Sequence, residues 1–82
     1  MNTLQILGRE GHRELVWEPE QVKTGDIEAT EVIAEAEKIV EDALARGHLA
    51  MRIDAPEEPA QRITKFDYTA PRTVIVPRIA GG

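Results

Sequence analysis

Apolar residues recur along this chain with two different periods, and the points where the period changes divide it into elements. Leu4, Ile6 and Leu7, then Leu15, Val16 and Trp17, flank Gly8-Arg9-Glu10-Gly11, which predicts two short strands joined by a four-residue, glycine-rich hairpin loop. Pro19 is expected to end the second strand, and residues 18–25, polar and carrying Pro and Gly, to form a connection. Over residues 26–46 the spacing lengthens: Val32 or Ile33, then Ala36, Ile39, Val40, Ala43 and Leu44 fall at three- and four-residue steps. That is one apolar stripe on a charged helix, which must bury the stripe across a sheet. Asp26 is placed to cap the first turn, with Glu28 and Glu31 near the positive end of the helix dipole. Arg46 suits the last turn, and Gly47 the left-handed stop after it.

Beyond Gly47 the alternation returns, with Leu49, Met51 and Ile53 on one side and Ala50 and Arg52 on the other, the pattern of a half-buried strand. Pro56 and Pro59 bracket a polar loop; Ile63, Phe66 and Tyr68 suggest a short extended segment before a turn at Thr69-Ala70-Pro71-Arg72. Thr73-Val74-Ile75-Val76 is apolar on both faces and so predicts an interior strand. Pro77 has no N–H to give to a ladder, so pairing should stop there and residues 77–82 should leave the domain formed by residues 1–76 as a flexible tail. The predicted class is α+β, in the order β-β-α-β-β-β, with a mixed sheet of four to five strands and one long helix packed across it.

Composition narrows the functional classes. A chain of 82 residues makes one domain that buries only about 60 to 65% of its unfolded surface, which leaves little room for an enclosed pocket. Apolar residues at 41% and charged ones at 30% fit a globular domain, and no apolar run is long enough to span a bilayer. With no leader-like segment at its start, the chain is expected to be cytoplasmic and to bind no membrane. There is no Cys, so thiol chemistry and thiolate metal sites are excluded for the chain itself.

The net charge of −5 and the scattering of the basic residues argue against nucleic acid as a partner. The acids crowd the first half and the helix, at Glu18, Glu20, Asp26, Glu28, Glu31, Glu35, Glu37, Glu41 and Asp42. From Arg62 onward the bias reverses, with Arg62, Lys65, Arg72 and Arg78 against Asp67 alone. The C-terminal half is therefore expected to meet an acidic partner surface, unless these four cations are an ordinary solvated face.

Most other candidates for chemistry have plain explanations. His12 and His48 lack Cys neighbours and an i, i+4 partner, so they are read as surface residues and no metal site is expected. Glu35, Glu37, Glu41 and Asp42 are read as a solvated helix face in preference to paired catalytic carboxylates. Gly8 to Gly11 is too short for a phosphate loop and no helix follows it. Trp17, one of three aromatics with Phe66 and Tyr68, is expected in the core. Lys23, Lys38 and Lys65 are not distinguishable from ordinary surface lysines.

The ending Val74-Ile75-Val76-Pro77-Arg78-Ile79-Ala80-Gly81-Gly82 is different. A pair of glycines adds nothing to a core and is the most costly pair to order, but it suits insertion into a narrow site where a Cβ would clash. Two hairpin strands, a long helix over a sheet and a last central strand running into Gly81-Gly82 resemble the ubiquitin-like β-grasp proteins. The tail is most similar to that of the prokaryotic sulfur carriers, the small subunit of molybdopterin synthase and the thiamine-biosynthesis sulfur carrier; a bacterial ubiquitin-like protein modifier is the other role the resemblance leaves open.

The resemblance implies a carried protein, not an enzyme. An E1-like adenylating enzyme would use its own ATP and Mg²⁺ to convert the Gly82 carboxylate to an acyl-adenylate, and this chain would hold no cofactor. A sulfur donor would then give a thiocarboxylate, or an E2-like protein and a target lysine would accept the acyl group. In that family role Gly82 is the activated terminus and Gly81 permits close approach. Ala80 keeps the stem slim, Ile79 anchors it in an apolar notch or caps the sheet, Arg78 pairs with a partner carboxylate, and Pro77 stiffens the exit. The alternative from another class is a non-catalytic interaction or assembly module, such as a small adaptor or virion-associated protein, with an unreactive tail.

Overall fold

The computed structural model describes residues 1–8 and 11–77. Strands β1 (Asn2–Gly8) and β2 (Gly11–Trp17) form an antiparallel hairpin, followed by helices α1 (Pro19–Lys23) and α2 (Ile27–Ala45) and strands β3 (Leu49–Ile53), β4 (Gln61–Arg62) and β5 (Arg72–Val76). The five strands make one sheet in the order β2-β1-β5-β3-β4. β5 runs parallel to β1 and antiparallel to β3, so the sheet is mixed and its last strand is innermost. The fold is α+β with one long helix, as the pattern predicts.

α2 begins where Asp26 Oδ1 accepts the Ala29 N–H at 3.0 Å, and it ends through Gly47, whose φ of +82° is the left-handed region that favours glycine. The His48 N–H closes back on the Ala43 carbonyl at 2.9 Å. Arg46 is the C-cap residue, just past the last turn in which the sequence placed it. Ala36, Val40 and Ala43 of the apolar stripe pack with Leu4, Leu15, Trp17, Ala50 and Ile75 as a single core, flanked by Val32, Ile33, Ile39 and Leu44. Trp17 is buried and meets Phe66 edge to face, ring centroids 5.7 Å apart.

Three sequence expectations shift. The hairpin pairing extends to Gly8 and Gly11, so both glycines expected in the loop join the ladder instead; positions 9 and 10 lie outside the described residues. The connection at residues 18–25 contains a short helix: Pro19 opens α1 with its φ already fixed, Glu20 sits in the first turn and Lys23 in the last. The extended segment expected at Ile63, Phe66 and Tyr68 is displaced to Gln61–Arg62, because only Met51 and Arg52 of β3 have partners there. Ile63 and Phe66 instead pack sideways on the core.

Candidate functional site

β5 determines how the tail is presented. Arg72 is exposed, Thr73, Val74 and Ile75 are buried, and the final pair of the β3–β5 ladder joins Leu49 to Val76. Pro77, half-buried, follows directly, and strand pairing stops before it as its missing N–H requires. Arg78, Ile79, Ala80, Gly81 and Gly82, the remaining sequence-predicted site residues, lie outside the described residues.

The entry into β5 is fastened by polar contacts that bridge the ends of the chain. The Tyr68 carbonyl accepts from Asn2 Nδ2 at 2.8 Å and from Trp17 Nε1 at 3.0 Å, so the buried indole N–H is satisfied. The Thr3 N–H donates to the Pro71 carbonyl at 3.1 Å. Asp67 Oδ1 accepts the Thr69 hydroxyl at 2.6 Å and the Thr69 N–H at 2.9 Å, and its Oδ2 accepts from Arg52 Nη1 at 3.3 Å. Those Thr69 bonds, and then the Arg52 charge, hold the Asp67 carboxyl below its usual pKa. Arg52 also donates to Asp54 at 2.8 Å, a bond that raises the guanidinium's own value. No sequence signal joins positions 66 residues apart, and this knot was not foreseen.

Alternation in the ladders gives the sheet two unlike faces. Leu4, Leu15, Trp17, Ala50 and Ile75 point to α2. On the opposite face the registers set Val16, Thr3, Arg72 and Ile53 in one row, Glu14, Gln5, Val74, Met51 and Arg62 in the next, and His12 with Leu7 and Val76 with Leu49 beyond them. Neither helix is part of the core on that side, and Leu7, Leu49, Met51, Ile53 and Val76 remain half-exposed. The apolar centre lies over β5 and β3, with Arg62 and Arg72 beside it; Glu14 lies over β2 and accepts from Gln5 Nε2 at 3.2 Å. The β3 alternation was legible, but which side met the helix was not: Ala50, the small residue, faces α2, and the three large ones face away.

The charge partition follows the same division. Glu28, Glu31, Glu37, Glu41 and Asp42 are exposed on α2, and Glu35 pairs with Arg13 of β2. His12 is exposed and His48 half-buried. Among the described residues no group of three or more His, Asp or Glu side chains converges on a point that would hold a metal ion. No helix among them is long and apolar enough to cross a membrane.

Compared with protein-family models, with curated proteins and with solved structures, the chain finds no match.

Proposed function

We propose that this chain is a ubiquitin-like β-grasp carrier whose C-terminal glycine is activated by an E1-like adenylating enzyme and then passed to sulfur or to a protein acceptor. The observation that carries the reading is the position of β5: the innermost strand of the mixed sheet leads straight through Pro77 into Arg78-Ile79-Ala80-Gly81-Gly82. A tail rooted in the centre of a sheet has a fixed origin, so an enzyme docked on the domain meets its end within a bounded reach of Pro77. The open sheet face supports the same reading. Its apolar centre and two arginines offer the activating partner a surface continuous with the root of the tail, and the matching partner surface would be apolar with carboxylates at its edge.

In this mechanism the chain supplies an acyl group and the partner supplies the catalysis. Attack of the Gly82 carboxylate oxygen on the α-phosphorus of ATP releases pyrophosphate and leaves an acyl-adenylate; sulfide or a thiol then displaces AMP. Gly81 and Gly82 let the backbone run through a channel too narrow for a Cβ. The test is incubation of the purified chain with a candidate E1-like enzyme, ATP and Mg²⁺, followed by intact-mass spectrometry. An adenylate or thiocarboxylate on the full chain and none on the chain lacking Gly82 is the expected result. An unchanged mass with every such enzyme, together with undiminished function when residues are appended after Gly82, would overturn it in favour of a non-catalytic interaction module.

A further inference from the structure

Across the open face of the sheet, charge is antisymmetric about β5. In the row Glu14, Gln5, Val74, Met51 and Arg62, β5 supplies the middle residue, and the acid and the base stand on opposite sides of it, each two strands or about 10 Å away. Both are exposed, and neither forms an ion pair among the described residues. Between them the surface is apolar. In the next row Leu49 pairs with Val76, and the β1–β5 register carried one step further sets Leu7 level with Val76 on the other side.

We propose that this face is an interface between two copies of the chain, packed sheet on sheet about a two-fold axis that runs along β5. Such an axis exchanges β2 with β4 and β1 with β3 and keeps every row level. Glu14 then lies over Arg62 of the second copy, Leu7 over its Leu49 and Gln5 over its Met51, and each contact occurs twice. Sheets stacked about 10 Å apart bring these side chains together around the shorter Val74 and Val76. The other two-fold in the plane of the face, perpendicular to the strands, would set Glu14 on Glu14 and Arg62 on Arg62, so charge selects the first. The partner surface that this face calls for, apolar with a carboxylate at its edge, is one the face itself supplies.

Arg72 works against the pairing. It is exposed on β5, so on the axis it meets its own copy. The face is five strands wide and five residues long along β5, about 19 Å by 17 Å, and so falls below the ~800 Å² per partner of a standard interface. The dimer is accordingly weak, with a Kd between about 10 μM and 1 mM. Its existence does not rest on the carrier reading; only its consequence does, that a second copy covers the surface offered to an activating enzyme, which then takes the monomer alone.

The test is sedimentation equilibrium and amide NMR on the full chain from about 20 μM to 2 mM, a range that brackets that Kd. A mass rising toward the dimer, with concentration-dependent shifts on β1, β3 and β5 and not on the outer side of α2, is expected. Glu14→Arg and Arg62→Glu each set like charges together at two places and should weaken association about fivefold or more, with unchanged far-UV circular dichroism. An equimolar mixture of these two variants sets opposite charges together at both places and should recover it, as should the double swap in one chain. Arg72→Gln should tighten the dimer. A chain still monomeric at the highest concentration, or a mixture that associates no better than either variant alone, would overturn the proposal; weaker association in Arg72→Gln would overturn the axis. Because no enzyme takes part, a monomeric chain leaves adenylation standing, and a dimer that is never adenylated overturns the carrier function alone.

Discussion

Thr73 is fully buried in the central strand, and its Oγ1 has no hydrogen-bond partner among the described residues. An unpaired buried hydroxyl costs on the order of 1–3 kcal/mol, so Thr73→Val, which keeps the shape and removes the polar atom, is expected to stabilise the fold by about 1 kcal/mol. An increase in the urea midpoint with an unchanged slope would show it. Asp67 makes the opposite case. Its folded-state pKa is lowered by Thr69 first and Arg52 second, so the unfolded chain binds the proton more readily and the stability it contributes is present above the ordinary value of 3.8. That contribution is lost as pH falls through the lower folded value. Asp67→Asn, which keeps an acceptor for Thr69 but cannot titrate, is expected to flatten the fall in urea midpoint below pH 4, as measured across an acid pH series. Neither residue's role was legible: position 73 reads as one more β-former in an apolar run, and Asp67 as the lone acid among the cations that follow Arg62.

α2 was legible at the scale of the element because every local signal agreed: an apolar stripe at helical period, Asp at the N-cap and Gly after the C-cap. Asp26→Ala leaves the Ala29 N–H without its acceptor and is expected to cost about 1 kcal/mol, seen as a lower melting temperature and earlier loss of the 222 nm ellipticity. β5 was legible for a related reason, since a run apolar on both faces has no place at an edge. What failed were elements whose signals conflict or are short. Pro19 stops a strand and opens a helix equally well, and only the tertiary context selects the second. β4 is a two-residue pairing created by the reach of β3, and no periodicity exists in so short a stretch.

On the scale of the whole molecule, one long helix covers one side of a five-stranded sheet and leaves the other side open. That much of the candidate site follows from counting elements, and it was missed because the alternation in β3 does not say which side the helix takes. The Gly-Gly ending is a motif of the sequence alone, since its residues lie outside the described ones. The open face carries Arg62 and Arg72, both exposed, while the acids lie on α2. Replacing both with Glu is expected to change folding stability by less than about 0.5 kcal/mol. The same change should slow association with an acidic partner and reduce its salt dependence. Stopped-flow association rates at two ionic strengths, with the urea midpoint as control, separate the two effects.

The parallel pairing of the first strand with the last has a consequence during synthesis. On the ribosome, β1 and β2 emerge early, yet the strand that sits between β1 and β3 is made last, and the contact that fastens Asn2 to Tyr68 spans 66 positions. Until residue 76 clears the exit tunnel, the nascent chain is two sheet fragments, each with an unsatisfied edge open to chaperones or to a neighbouring copy. The tail therefore leaves the tunnel only after the strand that completes the sheet.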